Sequence, residues 1–494
     1  MCGVDEIARS IVTRVRRVTS TCVAFGVASW VCGASGVEIG PGDDLESASA
    51  ALTPGEELIL RGGSYFFDRN VTITANGTPT APITIRAKVG ERPVIEQATT
   101  RHNVVEINHS SYLVLRGLEF TGGSHGIRLM DSDFITIEEC EIHETGDVAI
   151  SANAGGTYEG LRILRNHIHH TNGTGEGLYL GCNHDACRVA NSLIEGNYIH
   201  HTNRASVDQG DGIELKEGSY GNIIRNNVIH DTFFPGILVY STVGNGPVNL
   251  VEGNVVWNVS DNAVQAAADV ILRNNIILGK VSFQAHQAGS PSNIEFIHNT
   301  VINDGVAIDV RNVTGPVLIA NNAVYSQTNG IRLISGRLGQ VHLVGNVGAG
   351  GSYRAGSGYV QGNGISADFA NGHFKGVPPI DLFPAVGSAL IGVGDPTYVT
   401  AFDFNGNARS GNADVGAYLF DSGGNPGRPI AAWFRNRSAG TSYLPLPLVS
   451  RRIDGAISHD FDRGYGMLFV GQVAGGWPQR KSLAEGESVN WAPY

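Results

Sequence analysis

Between residues 176 and 240 the chain gathers side chains that move protons and hold cations: Glu176, Tyr179, Asp211, Glu214, Lys216 and Tyr240. Paired imidazoles at His169-His170 and His200-His201 stand close by, with His143-Glu144 before them and His230-Asp231 after. Three carboxylates brought together suit Ca²⁺, which prefers hard oxygen ligands. An amine or imidazole beside them can abstract a proton, and a phenol can return one. Lys216 and His201 are therefore the candidate bases, with His170 beside His201. Tyr240 and Tyr179 are the candidate proton donors, and Glu176, Asp211 and Glu214 the candidate metal ligands. A neighbouring carboxylate favours the charged lysine, so Glu214 opposes a basic role for Lys216 and makes His201 competitive.

These residues meet only if a repeating element stacks them. Gly212-Ile213-Glu214-Leu215 has counterparts in Gly177-Leu178-Tyr179-Leu180 and Gly236-Ile237-Leu238-Val239. An asparagine-like position recurs at Leu118, Cys140, Asn166, Asn197, Asn227, Asn254, Asn275, Asn299, Asn322 and Asn346. Each period holds a Gly-Ile-x-Leu strand, a second strand ending before Asn and a third of Val-Ile-His type. Three short alternating strands per period predict an all-β right-handed parallel β-helix of 10–12 coils, each about 4.8 Å from the last. Helices between strands, which a βα barrel needs, are absent from the pattern. The expected inward column is Ile127, Ile150, Leu178, Ile213, Ile237, Val264, Ile308 and Ile331, and the outward columns place Tyr179, Glu214, Lys216 and Tyr240 on one surface. Glu176 and Asp211 precede the glycines at the bend. The longest loops, Gly181 to Asn191 and Thr202 to Gly210, would wall a cleft, with Tyr158, Phe233, Phe234 and Asn153 expected to touch a ligand.

Acidic residues number 46 against 34 basic, net charge −12, without a basic run, which excludes general nucleic-acid binding. Arg14, Arg16 and Arg17 before the apolar Cys22–Val31 and the small residues Gly33-Ala34-Ser35-Gly36 read as an export signal over residues 1–36, with an amino-terminal extension as the alternative, the apolar part being too short to span a bilayer. A secreted, periplasmic or cell-surface location follows, and permits a Cys182–Cys187 bridge with Cys140 left as a buried thiol. Residues 37–420 form the expected β-helix, capped by an amphipathic helix near Asp43 to Ala51. Residues 421–494, richer in Gly, Pro, Ser and Arg with Trp433, Trp477 and Trp491, form the expected carboxy-terminal appendage.

The opening Pro41-Gly42-Asp43-Asp44-Leu45, Gly62-Gly63-Ser64-Tyr65 and Gly77-Thr78-Pro79-Thr80-Ala81-Pro82-Ile83-Thr84-Ile85, with the closing Asp414-Val415-Gly416-Ala417-Tyr418, resembles the pectin-lyase-like superfamily. Its amino-terminal part is most similar to the alginate lyase and chondroitinase B group. The resemblance implies a polysaccharide lyase that cleaves a uronic-acid polymer by β-elimination. Two features depart from that group. The arginine it carries one coil after its strand lysine is matched after Lys216 by Leu238 and Tyr240, and its metal-binding Asn and Glu set is matched only by Glu214. The polygalacturonase aspartates are also absent. A glycoside hydrolase or transglycosylase using two of Glu176, Asp211, Glu214 and Asp231, and a non-enzymatic surface β-helix, stand as the alternative readings.

Overall fold

The computed structural model describes residues 36–350, 358–375 and 380–425. Three parallel sheets of 11, 13 and 13 strands wind around a common core, one strand per sheet in each coil, giving a right-handed parallel β-helix. The first-strand sheet carries Leu178–Leu180, Ile213–Leu215 and Ile237–Val239, in register as Leu178 to Ile213 to Ile237. The third-strand sheet carries Glu141–His143, His167–His169, Tyr198–Thr202 and Val228–Thr232. Inward residues of the coils are mostly aliphatic and buried, as the alternation requires, and the last coil among the described residues, with Ile331, Leu333, Val341 and Leu343, is partly open.

Two corner devices set the coil shape. Asn166, Asn197, Asn227, Asn254, Asn275, Asn299, Asn322 and Asn346 stack, each amide donating to the next side-chain oxygen at 2.8–3.1 Å and to a main-chain carbonyl of the preceding coil. These bonds satisfy buried polar groups at a bend where the strand ladders are interrupted. At the bend before the first strand, coils approach too closely for a side chain: a Cβ on Gly177 would lie 2.6 Å from the Gly212 carbonyl oxygen, and one on Gly212 2.4 Å from that of Gly236. Glycine there lets Glu176 and Asp211 stack directly.

The helix Leu45–Ala50, capped by Asp44, places Leu45 in the core at one end of the solenoid. The coil proper ends earlier than the expected boundary of 420. After Tyr359–Gln361 the chain folds back onto the outer face of the third-strand sheet, where Phe369, Leu382, Phe383, Phe404 and Tyr418 cover Trp257, Leu278, Ile302 and Tyr325. Arg409, 1% exposed, donates to the carbonyls of Asp414, Gly416 and Ala417 and locks this closing segment. A first strand absent from the expected inward column, Val281–Phe283, runs between Val264–Ala266 and Ile308–Val310. The export signal, the appendage beyond residue 425 and its tryptophans lie outside the described residues.

Candidate active site

Parallel register sets Tyr179 opposite Glu214 and Glu214 opposite Leu238 on the outer face of the first-strand sheet. Lys216 and Tyr240 follow one coil apart, where Lys216 N–H bonds the Leu180 carbonyl and Tyr240 N–H that of Leu215. Lys216 Nζ donates to Glu214 Oε1 at 2.5 Å and to the Tyr240 hydroxyl at 3.3 Å, and lies 4.4 Å from the Tyr179 ring centre. Tyr240 OH donates to Glu214 Oε1 at 3.0 Å, and His286 Nε2 stands 2.8 Å from the same hydroxyl. Tyr179, Glu214, Lys216, Tyr240 and His286 thus share one wall, and all but His286 came from the expected columns.

The bend adds the acids. Single oxygens of Glu176, Asp211 and Glu214 lie within 4.8 Å of one another, in side chains that are all buried. Glu176 Oε1, Asp211 Oδ1 and Glu214 Oε2 have no hydrogen-bond partner among the described residues. Burial raises the Glu176 carboxyl to about 7, with the charges of Glu214 and Asp147 adding to it and the Thr174 hydroxyl opposing. Burial, then Glu214 and Glu176, pushes Asp211 well above its ordinary value. Three buried acceptors facing one another without donors is the electrostatic setting that a divalent cation relieves, and the hard oxygen set fits Ca²⁺.

Proton affinities sort the remaining groups. Burial alone would lower the Lys216 ammonium, but the Glu214 charge and hydrogen bond raise it. Burial, with Glu214, also raises Tyr240; it raises Tyr179 against the opposing Lys216 charge, so both phenols keep their protons. Burial and then Lys216 lower His286, leaving it neutral at pH 7.

Two expectations are corrected. Tyr158 is fully buried, its hydroxyl donating to the Leu129 carbonyl and accepting from Ala154 N–H, so its ring is core rather than a sugar platform. His170 and His201 do not reach the wall of Lys216; they stack on each other at 4.7 Å beside the third-strand sheet. The cause is local: Glu144, His170, His201 and Asp231 all take positive φ at the strand end. That conformation breaks alternation, so His169 and His170 both project outward and their Nδ1 atoms meet at 2.7 Å. Burial and the charges of His169 and His201 lower His170 to about 4.

Asn153 lies on the wall beside the cleft loop, partly exposed, with Oδ1 buried and without a hydrogen-bond partner among the described residues. Phe233 and Phe234, 40% and 38% exposed, stack together just before Pro235, whose carbonyl pairs with Gly212 at the Asp211 bend. Cys182 and Cys187 are joined, closing the expected loop. That loop meets the turn His286–Gly289 through Gln287, which bonds His184 N–H and Asn183, while Glu217 accepts from Ala288 N–H. His286, Glu217 and this turn were not anticipated from the sequence. His286 and the turn follow the unrecognised strand Val281–Phe283, whose register alone would have pointed to them, whereas Glu217 stands next to Lys216.

The right-handed parallel β-helix is the architecture that the resemblance to the pectin-lyase-like superfamily implied. Residues 32–246 match the family model described as Pel9A-like, right handed beta helix region. The chain is similar to pectate lyase L of Paenibacillus polymyxa (strain SC2), 24% identical over 53% of this chain and 59% of that one. It is also similar to pectate lyase PEL9 of Emericella nidulans, 24% identical over 39% of this chain and 43% of that one. The match thus spans about half the length of these curated relatives. The crystal structure of pectate lyase Pel9A superposes with a TM-score of 0.46 at 16% identity, covering 76% of this chain and 91% of that one.

Proposed function

We propose that the protein is a secreted polysaccharide lyase that cleaves a uronic-acid polymer by β-elimination on the wall of Lys216. The observation that carries this reading is the meeting of three buried carboxyls, each with one oxygen lacking a partner among the described residues, with an amine and two protonated phenols. Glu176, Asp211 and Glu214 would hold a divalent cation of the Ca²⁺ type, which when bound neutralises a sugar carboxylate and offsets the charge of Glu214. Lys216 is the base for the proton beside that carboxylate; countering the Glu214 charge removes the interaction that keeps the amine protonated. Tyr240 sits between Lys216 and neutral His286, so a proton can pass toward the leaving oxygen through its hydroxyl, while Tyr179 packs the amine from the other side. The partly exposed stretch of the wall runs over Tyr179, Asn153 and Arg128, and Arg128 supplies a cation for further sugar carboxylates. The Cys182–Cys187 bridge supports an oxidising compartment, and hence secretion or a periplasmic or surface location.

The glycosidase reading keeps one supporting observation, the Glu176 carboxyl raised to about 7, which suits a general acid. Of the other three carboxyls in that reading, Asp211 and Glu214 stand beside Glu176, whereas Asp231 binds His230 and Asn258 on the other sheet. A panel of pectate, alginate, chondroitin and neutral glycans, with Ca²⁺ or chelator, separates the readings. Unsaturated ends absorbing in the ultraviolet from one uronate polymer, lost in Lys216→Ala, are expected. Reducing ends without unsaturation would establish hydrolysis, and no product from any polymer would overturn the catalytic reading.

A further inference from the structure

A second cluster lies on the third-strand sheet, away from the wall just described. Register places Glu141 opposite His167 and His143 opposite His169, so Glu141, His167 and His169 share one outer face on two adjacent strands. All three are at most 5% exposed. His169 Nε2 stands 3.2 Å and His167 Nδ1 3.8 Å from Glu141 Oε1, and the three ligand atoms lie within 4.8 Å of one another. Tetrahedral zinc with bonds of about 2.0–2.1 Å keeps its ligands about 3.3 Å apart, so small rotations of the rings bring this set to that spacing.

The outward nitrogens supply an independent observation. A metal-bound imidazole hydrogen-bonds through its other nitrogen, which fixes the tautomer and orients the ring. His167 presents Nδ1 to Glu141 while its Nε2 meets His200 Nε2 at 2.8 Å. His169 presents Nε2 to Glu141 while its Nδ1 meets His170 Nδ1 at 2.7 Å. Each ring is held from behind with its remaining nitrogen turned to the shared carboxylate oxygen. Two imidazoles and one carboxylate select zinc or a similar transition metal over Ca²⁺.

We propose that Glu141, His167 and His169 bind one zinc ion that clips two successive coils together, separately from the oxygen site at Asp211. The test uses the full-length protein, stripped with chelator and dialysed, then titrated with Zn²⁺ alone and with Co²⁺ alone. Expected are uptake of one zinc per chain at this site, visible bands of tetrahedral cobalt, and a higher unfolding midpoint. His169→Gln and Glu141→Gln should each weaken uptake by roughly 100-fold, while Asp211→Asn leaves the cobalt bands unchanged. X-ray absorption of the zinc-loaded unaltered protein covers the case in which a variant fails to fold. Imidazole scattering from two rings supports the site; oxygen-only coordination, uptake indifferent to His169→Gln, or no uptake overturns it and leaves a proton shared with Glu141 as the bond between the coils.

Discussion

Two faces of the same solenoid stack ionisable side chains at the same coil spacing and reach opposite outcomes. On the first-strand wall three carboxyls, Glu176 and Asp211 at the bend and Glu214 on the strand, face one another, and each keeps an oxygen without a hydrogen-bond partner among the described residues. On the third-strand face a column of carboxylates stands beside a column of imidazoles, and contacts run from group to group: Arg92 to Glu119 to His143, Glu141 to His169 to His170, and Tyr198 to His230 to Asp231. A buried acceptor without a donor is a source of free energy for binding a cation or a substrate; donors and acceptors that already meet hold their neighbours in place, so that a metal bound among them replaces a bond between coils. Density of titratable residues in the sequence does not distinguish these outcomes, whereas the pairing of donors with acceptors does.

The comparison breaks most sharply under mutation of the presumed bases. Lys216→Ala should lower kcat/KM by about 10²–10⁴-fold, measured as release of unsaturated ends, while His201→Ala should change it less than about threefold. A larger loss from His201→Ala would return catalysis to the imidazole face. Next in size is the cation. Chelator should abolish turnover and Ca²⁺ restore it, and Asp211→Asn should raise the Ca²⁺ concentration needed by roughly tenfold or more.

The pH dependence sharpens the contrast further. The Glu176 carboxyl has a folded-state value of about 7 against an ordinary 4.5. Between these values the folded chain binds more protons than the unfolded one, so stability of the metal-free protein falls as pH rises across that window and then levels off. The span corresponds to roughly 3 kcal/mol at full effect. Thermal midpoints in chelator from pH 5 to 8 should show this fall, Glu176→Gln should reduce it to the part that the raised Asp211 carboxyl contributes, and added Ca²⁺ should stabilise more at pH 8 than at pH 5.

A corner substitution tests stability alone. Asn227 accepts from Asn197 and donates to Asn254 and to the Ile194 carbonyl, so Asn227→Ala should cost about 2–4 kcal/mol in denaturant unfolding and leave Ca²⁺ dependence intact. Smallest is Phe233→Ala, expected to raise KM a few-fold with kcat and stability unchanged, since the ring is 40% exposed beside the Asp211 bend.

The fold was legible because its signals repeat. The asparagine column, the Gly-Ile-x-Leu strands and the alternation recur in coil after coil, so a single irregular coil does not hide the period. The wall was legible for the same reason: Tyr179, Glu214, Lys216 and Tyr240 occupy equivalent strand positions, and alternation inside a strand gives their direction. Three things escaped. Val281–Phe283 lacks the glycine and the Ile-x-Leu spacing, and with it went His286. His170 and His201 were assigned to the wall because strand alternation does not extend through a positive-φ corner. Tyr158 lies in an extra pair, Gly156–Glu159 with Cys187–Ala190, formed by inserted segments whose inward side has no counterpart in the other coils.

The asparagine corner has a consequence for how such a molecule can change over generations. Each Asn is bound to the coils above and below but not to the length of chain between corners, so residues can be inserted in one turn without disturbing the pairing of the rest. The Cys182–Cys187 loop and the Thr202–Gly210 loop are two such insertions, both beside the wall. Specificity in this architecture is therefore editable one storey at a time, with the staircase left standing.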